Sequence, residues 1–146
     1  AEDVFLYFGL GCRNVSKIYV PKNYDFDKLF EGFKFYKNLI KHNKYFNNYN
    51  YQKTIKVMNN ESFIDNEYFL LAKSKSLSPP ISILYYDFYD KLSTVEKEIE
   101  KNKSLIQCVV SNLNIKNSIK FGESQKPNLD QYADNVDTLD FLLTSS

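Results

Sequence analysis

The chain is 146 residues long, 43% hydrophobic and 25% charged, and its 19 Lys and Arg against 18 Asp and Glu leave a formal net charge of +1. That length suits one domain able to bury a core without disulfide or metal staples, and that composition excludes a disordered chain. Arg13 is the only arginine and no basic stripe stands out, so there is no electrostatic case for nucleic acid; the 12 Tyr and 12 Phe read as core rather than as base-stacking platforms.

Cys12 and Cys108 are the only cysteines and His42 is the only histidine, too few for a disulfide framework or a zinc cluster. No apolar run approaches the ~20 residues of a membrane span and no secretory leader pattern is visible, so the expected compartment is the reducing cytoplasm. The first residue is Ala, and the apolar run from Val4 to Leu10 begins almost at once. This reads as a chain that starts inside a larger protein, although removal of an initiator Met ahead of a small residue gives the same start.

In chain order, Val4, Phe5, Leu6 and Phe8 predict the last turns of a helix stopped at Gly9 or Gly11. "NVSKIYVP" (14–21) alternates, is rich in β-branched residues and ends on Pro21, which predicts a strand. Phe26, Leu29, Phe30, Phe33, Leu39 and Ile40 recur largely at helical intervals behind Asp25, a candidate cap, and the helix is expected to end near His42. His42 reads as a capping or surface residue, because nothing near it in sequence makes a metal or triad set. "YNYQKTIKVMNN" (49–60) predicts a second, shorter helix and "EYFLLAKS" (67–74) a strand. The Pro79–Pro80 break leads to a strand from Ile81 to about Tyr86. "LSTVEKEIEKNKS" (92–104) predicts an amphipathic helix with Ser93 or Thr94 as cap, and "LIQCVVSNL" (105–113) has the length and apolarity of a buried strand. Strand, helix, strand from Ile81 to Leu113 is the spacing of a β-α-β crossover. "IKFGESQKPNL" (119–129) predicts a loop, and "DQYADNVDTLDFLL" (130–143) a short helix followed by an extended tail. With no repeat and no interior linker, the expected architecture is a single α/β domain over residues 1–146.

Cys12 is the candidate nucleophile. Gly9 and Gly11 leave the backbone free for a tight turn and the close approach of a substrate, Arg13 sets a positive charge beside the thiol, and the Cys12 backbone N–H is a candidate oxyanion donor. The competing reading of a free cysteine is a small buried hydrophobe. That reading fits Cys108, which lies between apolar residues of an expected core strand. A Cys-His pair is unsupported, since His42 is remote from Cys12 in sequence. "FGESQKP" has one glycine and no phosphate-cradling ending, and "GLGCRN" lacks a third glycine and precedes a strand, so neither carries a dinucleotide.

"GLGCRNVSKIYVP" (9–21) resembles the segment around the nucleophilic cysteine of the aldehyde dehydrogenase superfamily: a small-residue turn, the cysteine, a polar pair, then a strand. It is most similar to the acyl-CoA reductases related to the long-chain fatty acid reductase of bacterial bioluminescence. "SPPISILYYDFYDKLSTVEKEIEKNKSLIQCVVS" (78–111) resembles that superfamily's Pro-containing loop, strand, helix and further strand, and "IKFGESQKPNLDQYADNVDTLDFLL" (119–143) resembles the reductases' C-terminal segment. The resemblance implies an aldehyde dehydrogenase-like catalytic domain with a mostly parallel sheet flanked by helices. It implies that Cys12 attacks the thioester of a fatty acyl-CoA, and that the acyl-enzyme accepts hydride from NADPH to release a fatty aldehyde. In that family the dinucleotide-binding domain and the Asn side chain of the oxyanion hole lie upstream of the cysteine. This chain is then the C-terminal catalytic part, inactive in isolation. The family's Glu-x-Phe-Gly-Pro loop falls near "KSLSPPIS" (75–82), which has no Glu, so no cofactor contact is transferred and no metal is implied.

Two other readings stand beside this one: a different member of the superfamily, oxidising aldehydes or reducing acyl phosphates, and a non-catalytic α/β interaction module with two structural cysteines. In the related enzymes the chain end adds a strand to a neighbouring subunit's sheet. Leu139, Phe141, Leu142 and Leu143 are apolar enough for that role. A homo-oligomer through the tail is the expectation, with a tail folded back as a helix end, or left disordered, as the other outcomes.

Overall fold

A computed structural model describes residues 1–129, 131–133 and 136–144. It opens on a short helix α1 (Glu2–Phe5), which breaks at Leu6 into a tight turn through Gly9 and gives way to strand β1 (Lys17–Pro21). Helix α2 (Phe26–Phe33) follows, then helix α3 (Asn43–Met58), and strands β2 (Ile64–Asp65), β3 (Leu70–Lys73) and β4 (Ile83–Tyr89). Helix α4 (Leu92–Lys101), the short strands β5 (Val109–Val110) and β6 (Ser118–Ile119), and helix α5 (Thr138–Thr144) complete the order.

The central sheet has the order β1-β4-β3-β2. β4 runs parallel to both of its neighbours, with Ile18 opposite Tyr86 and Leu71 opposite Leu84, and β2 adds an antiparallel edge, Ile64 opposite Leu71. Because alternate side chains leave opposite faces, "FLLA" at 69–72 feeds both sides. Phe69, Leu71 and Leu84 meet Phe5, Phe33 and Tyr68 on one face, while Leu70, Ala72 and Ile83 meet Tyr49 on the other. A strand covered on both faces reads as a continuous apolar run, as this one does. The fold is therefore α/β with a small, mostly parallel sheet and helices packed on it.

Asp25 caps α2 as expected, its carboxylate accepting from the Asp27 N–H at 3.0 Å. The α-helical winding stops at Phe33, and Lys34–Lys41 continue as 3₁₀. The Tyr68 hydroxyl donates to the Phe33 carbonyl at 2.7 Å at this junction, where the winding changes. Helix α3 starts six residues before the expected 49–60, because Tyr45 and Tyr49, one turn apart, are both buried. Ser93 and Thr94 are not caps: α4 begins at Leu92, behind Lys91, with no side-chain cap, and both residues lie in its first turn.

The β-α-β crossover does not close on one sheet. β5 pairs in parallel with β6, Val109 opposite Ser118, in a separate two-stranded sheet, and Cys108 stands just ahead of it, half-buried rather than in a buried strand. The expected extended tail is helical: α5 covers Thr138–Thr144, and the Asp137 carboxylate accepts from the Leu139 and Asp140 N–H groups, both at 3.0 Å. Its Leu139, Phe141, Leu142 and Leu143 are exposed. The short helix expected ahead of it falls in part on residues 130, 134 and 135, outside the described residues.

Candidate functional site

The segment between α1 and β1 is wound tightly. Tyr7, Phe8 and Gly9 take left-handed backbone angles in succession, φ 54°, 61° and 74°. A Cβ at Gly9 would also meet the Val4 carbonyl at 3.2 Å. Left-handed conformations at two aromatic residues cost of the order of 1 kcal/mol or more each and persist only where the surroundings enforce them.

Those surroundings centre on Asn14. Residues Gly11 to Asn14 form a turn closed by the Asn14 N–H on the Gly11 carbonyl at 2.9 Å. The Asn14 side-chain oxygen accepts from the Gly11 N–H at 2.7 Å, and its amide donates to the carbonyls of Asp3, Val4 and Leu6 at 3.1, 3.2 and 3.1 Å. Carbonyls at the end of a helix lack intrahelical donors; here one amide serves three carbonyls of α1 and its continuation. The Val15 N–H adds a 2.7 Å bond to the Asp3 carbonyl, and the Ser16 hydroxyl donates to the Leu77 carbonyl at 2.7 Å as β1 begins.

A second set of bonds ties this turn to Gly122, Ser124 and Gln131. The Asp3 carboxylate, buried, accepts from the Gly122 and Ser124 N–H groups at 2.7 and 3.0 Å. Arg13 donates from Nε to the Ser124 carbonyl at 2.5 Å and from its terminal nitrogen to the Gln131 side chain at 3.2 Å. Burial pushes the Asp3 carboxyl upward, but the Gly122 and Ser124 donors and the nearby amino terminus outweigh it, and its pKa lies below the ordinary aspartate value.

Cys12 sits inside the turn and is exposed, as its sequence setting predicts. It opens onto a groove of about 770 Å³ with Lys101, Lys103 and Gln107 on its wall, and onto a larger, more apolar one of about 1130 Å³ that includes Leu77, Pro79, Pro80, Ile106 and Val110. Arg13 has a different place from the one its sequence position suggests. Its guanidinium is engaged across the loop, so its demonstrable role is to hold two segments together. His42 packs its ring on Phe8, centroids 4.9 Å apart, and lines neither groove.

Cys108 comes to the same region from the far end of the chain, its thiol donating to the Arg13 carbonyl at 3.6 Å. Burial, chiefly, pushes that thiol up, against the opposing pull of Arg13 and with a smaller contribution from Asp3 and Cys12. Exposure and thiolate fraction both set the rate of alkylation. Iodoacetamide is therefore expected to modify Cys12 at least roughly ten times faster than Cys108 in the native protein. Equal rates, or preference for Cys108, would remove Cys12 from consideration as the reactive thiol.

Asp3 and Asn14 are the residues that sequence reasoning missed. Asn14 was visible only as half of a polar pair, and the partners of Asp3 lie about 120 residues away. Among the described residues no group of three or more His, Cys, Asp or Glu could hold a metal ion, and no helix is long and apolar enough to cross a membrane. Fold and site together define a small α/β unit with one exposed cysteine on a braced turn. No protein-family model matches the chain, and no curated protein or solved structure matches it.

Proposed function

We propose that this chain is the cysteine-bearing catalytic part of an NADPH-dependent acyl-CoA reductase of the aldehyde dehydrogenase superfamily, acting in the cytoplasm on fatty acyl-CoA. The observation that carries the reading is the setting of Cys12: an exposed thiol on a turn held by four side-chain bonds from one asparagine, facing an apolar groove. The mostly parallel sheet with helices on it supports the same superfamily. The Cys12 thiolate attacks the thioester carbonyl, the carbonyl π pair moves to oxygen, and its return expels CoA as a thiolate that takes up a proton. The acyl group is left on the Cys12 sulfur. One thioester replaces another, so the acyl carbon stays electrophilic at little cost. The apolar groove suits an acyl chain.

NADPH supplies the hydride in the related enzymes. The segment from Ser74 to Ser82 has no carboxylate for a nicotinamide ribose, so no reduction step is derived from these residues. Incubation with myristoyl-CoA followed by intact-mass and peptide analysis tests the reading. One acyl mass on Cys12 and none on Cys108 is expected, and a native chain that takes no acyl group at Cys12 refutes it.

The tail belongs to the same proposal. The exposed apolar face of α5 supports a homo-oligomer in which the chain end is covered by a neighbouring subunit. Light scattering should give a larger particle for the whole chain than for a form ending at Asp137. Two monomers of equal stability would mean the tail serves no interface.

A further inference from the structure

We infer that Asn14 is a positioning residue for acyl transfer, acting through the Gly11–Cys12 peptide; the inference rests on the acyl-enzyme reading above. A peptide unit is planar and trans, so whatever fixes its carbonyl also fixes the opposite direction of its N–H. The Gly11 carbonyl is bound by the Asn14 N–H at 2.9 Å, and the Gly11 N–H, one peptide earlier, is bound by the Asn14 side chain at 2.7 Å. The Asn14 amide is itself pinned to three carbonyls of the α1 segment, which packs into the core through Phe5. One residue anchored in the core thus holds the carbonyl of the Gly11–Cys12 plane through its backbone N–H and, through its side chain, the N–H of the peptide before it.

Among the described residues no acceptor takes the Cys12 N–H. That donor is left to meet the oxygen that becomes negative when sulfur adds to the acyl carbonyl, and its direction is set by the brace. A donor that stabilises such an oxygen must be aimed before the reaction, since reorienting it during the step costs what the donor would supply. Gly11 belongs to the same device. A Cβ there would stand 2.7 Å from the Asn14 side-chain oxygen, so only glycine admits the amide in this position.

The experiment compares two reactions of one sulfur in the full chain. Acyl transfer from myristoyl-CoA passes through a tetrahedral oxyanion; alkylation by iodoacetamide does not. Asn14→Ala is expected to slow acylation of Cys12 at least about tenfold, below the 10²–10³ seen when an oxyanion donor is removed outright, because here the donor is loosened rather than lost. Alkylation of Cys12 should change less than about threefold, since exposure and sulfur are untouched. Gly11→Ala should give the same split by displacing the amide. An unchanged urea-unfolding slope with a single cooperative transition reports that each variant is folded, and where the alanine chain does not fold, Asn14→Ser is read in the same way. Acylation undiminished in the variants, or acylation and alkylation falling in parallel, overturns the positioning role while leaving the acyl-enzyme reading intact. A wild-type chain that takes no acyl group overturns both.

Discussion

Cys12→Ser is expected to abolish acyl labelling by myristoyl-CoA, a loss of about a thousandfold or more. A thiol is a few per cent thiolate near neutral pH and is a strong nucleophile in that form, whereas a serine hydroxyl needs a base within hydrogen-bond reach to act at all. Among the described residues no imidazole or carboxylate is hydrogen-bonded to the Cys12 side chain, although Glu100 lines the same groove. The chain's single histidine, His42, packs on Phe8 and lines neither groove, and Asp3 holds the backbone N–H groups of Gly122 and Ser124. The substitution is nearly isosteric at an exposed position, so the fold should be unchanged and the loss chemical. Intact-mass kinetics on both proteins measure it. An acyl adduct that persists on the serine variant would locate the transfer elsewhere, with Cys108 the first position to inspect, and Cys12 would lose its assigned role.

The parts of the fold legible in the sequence are those governed by neighbours along the chain. The alternation behind Cys12 marks β1, Asp25 marks the start of α2, and the apolar run at 69–72 marks a strand. What could not be read depends on partners far away in sequence. The polar opening of α3 looks like a poor helix until Tyr45 and Tyr49 find the core. The run around Cys108 has the length and apolarity of a strand that could join β4, and nothing local says that its partner is β6. The same limit applies to the site. The exposure of Cys12 follows from Gly-x-Gly and a turn, both local. The brace does not: Asn14 bonds three carbonyls up to 11 residues back, and Arg13 reaches Ser124, 111 residues on. Residue type alone suggested that Arg13 would serve the thiol, and geometry assigns its guanidinium to the opposite loop.

Phe5→Ala is expected to cost about 3–5 kcal/mol of folding stability, the range for removing a buried aromatic side chain. Phe5 is 5% exposed and has four aromatic neighbours, Phe33, Tyr36, Tyr68 and Phe69, at centroid distances of 5.0, 5.4, 5.7 and 5.2 Å. The contact with Phe33 is edge-on at 85°, an arrangement that adds to simple burial. These partners come from α2, the 3₁₀ segment after it and the lead into β3, so they cannot all close on the space that truncation leaves. A domain of this size has roughly 5–15 kcal/mol in hand, so one side chain removes a large share. A urea midpoint that falls with an unchanged slope is the measurement. Phe35→Ala, at a ring 81% exposed, is the control and should stay within about 0.5 kcal/mol. The effect should also reach the thiol. Phe5 lies between Val4 and Leu6, two of the three residues whose carbonyls hold the Asn14 amide. Loosening α1 frees that amide, and Cys108, bonded to the Arg13 carbonyl, is unroofed with the turn. The alkylation preference for Cys12 over Cys108 should therefore narrow in Phe5→Ala under conditions where most molecules remain folded. A loss below about 1 kcal/mol would mean that the ring cluster is not the anchor of the amino-terminal segment. An alkylation preference equal to wild type would mean that the cysteine turn stands without it.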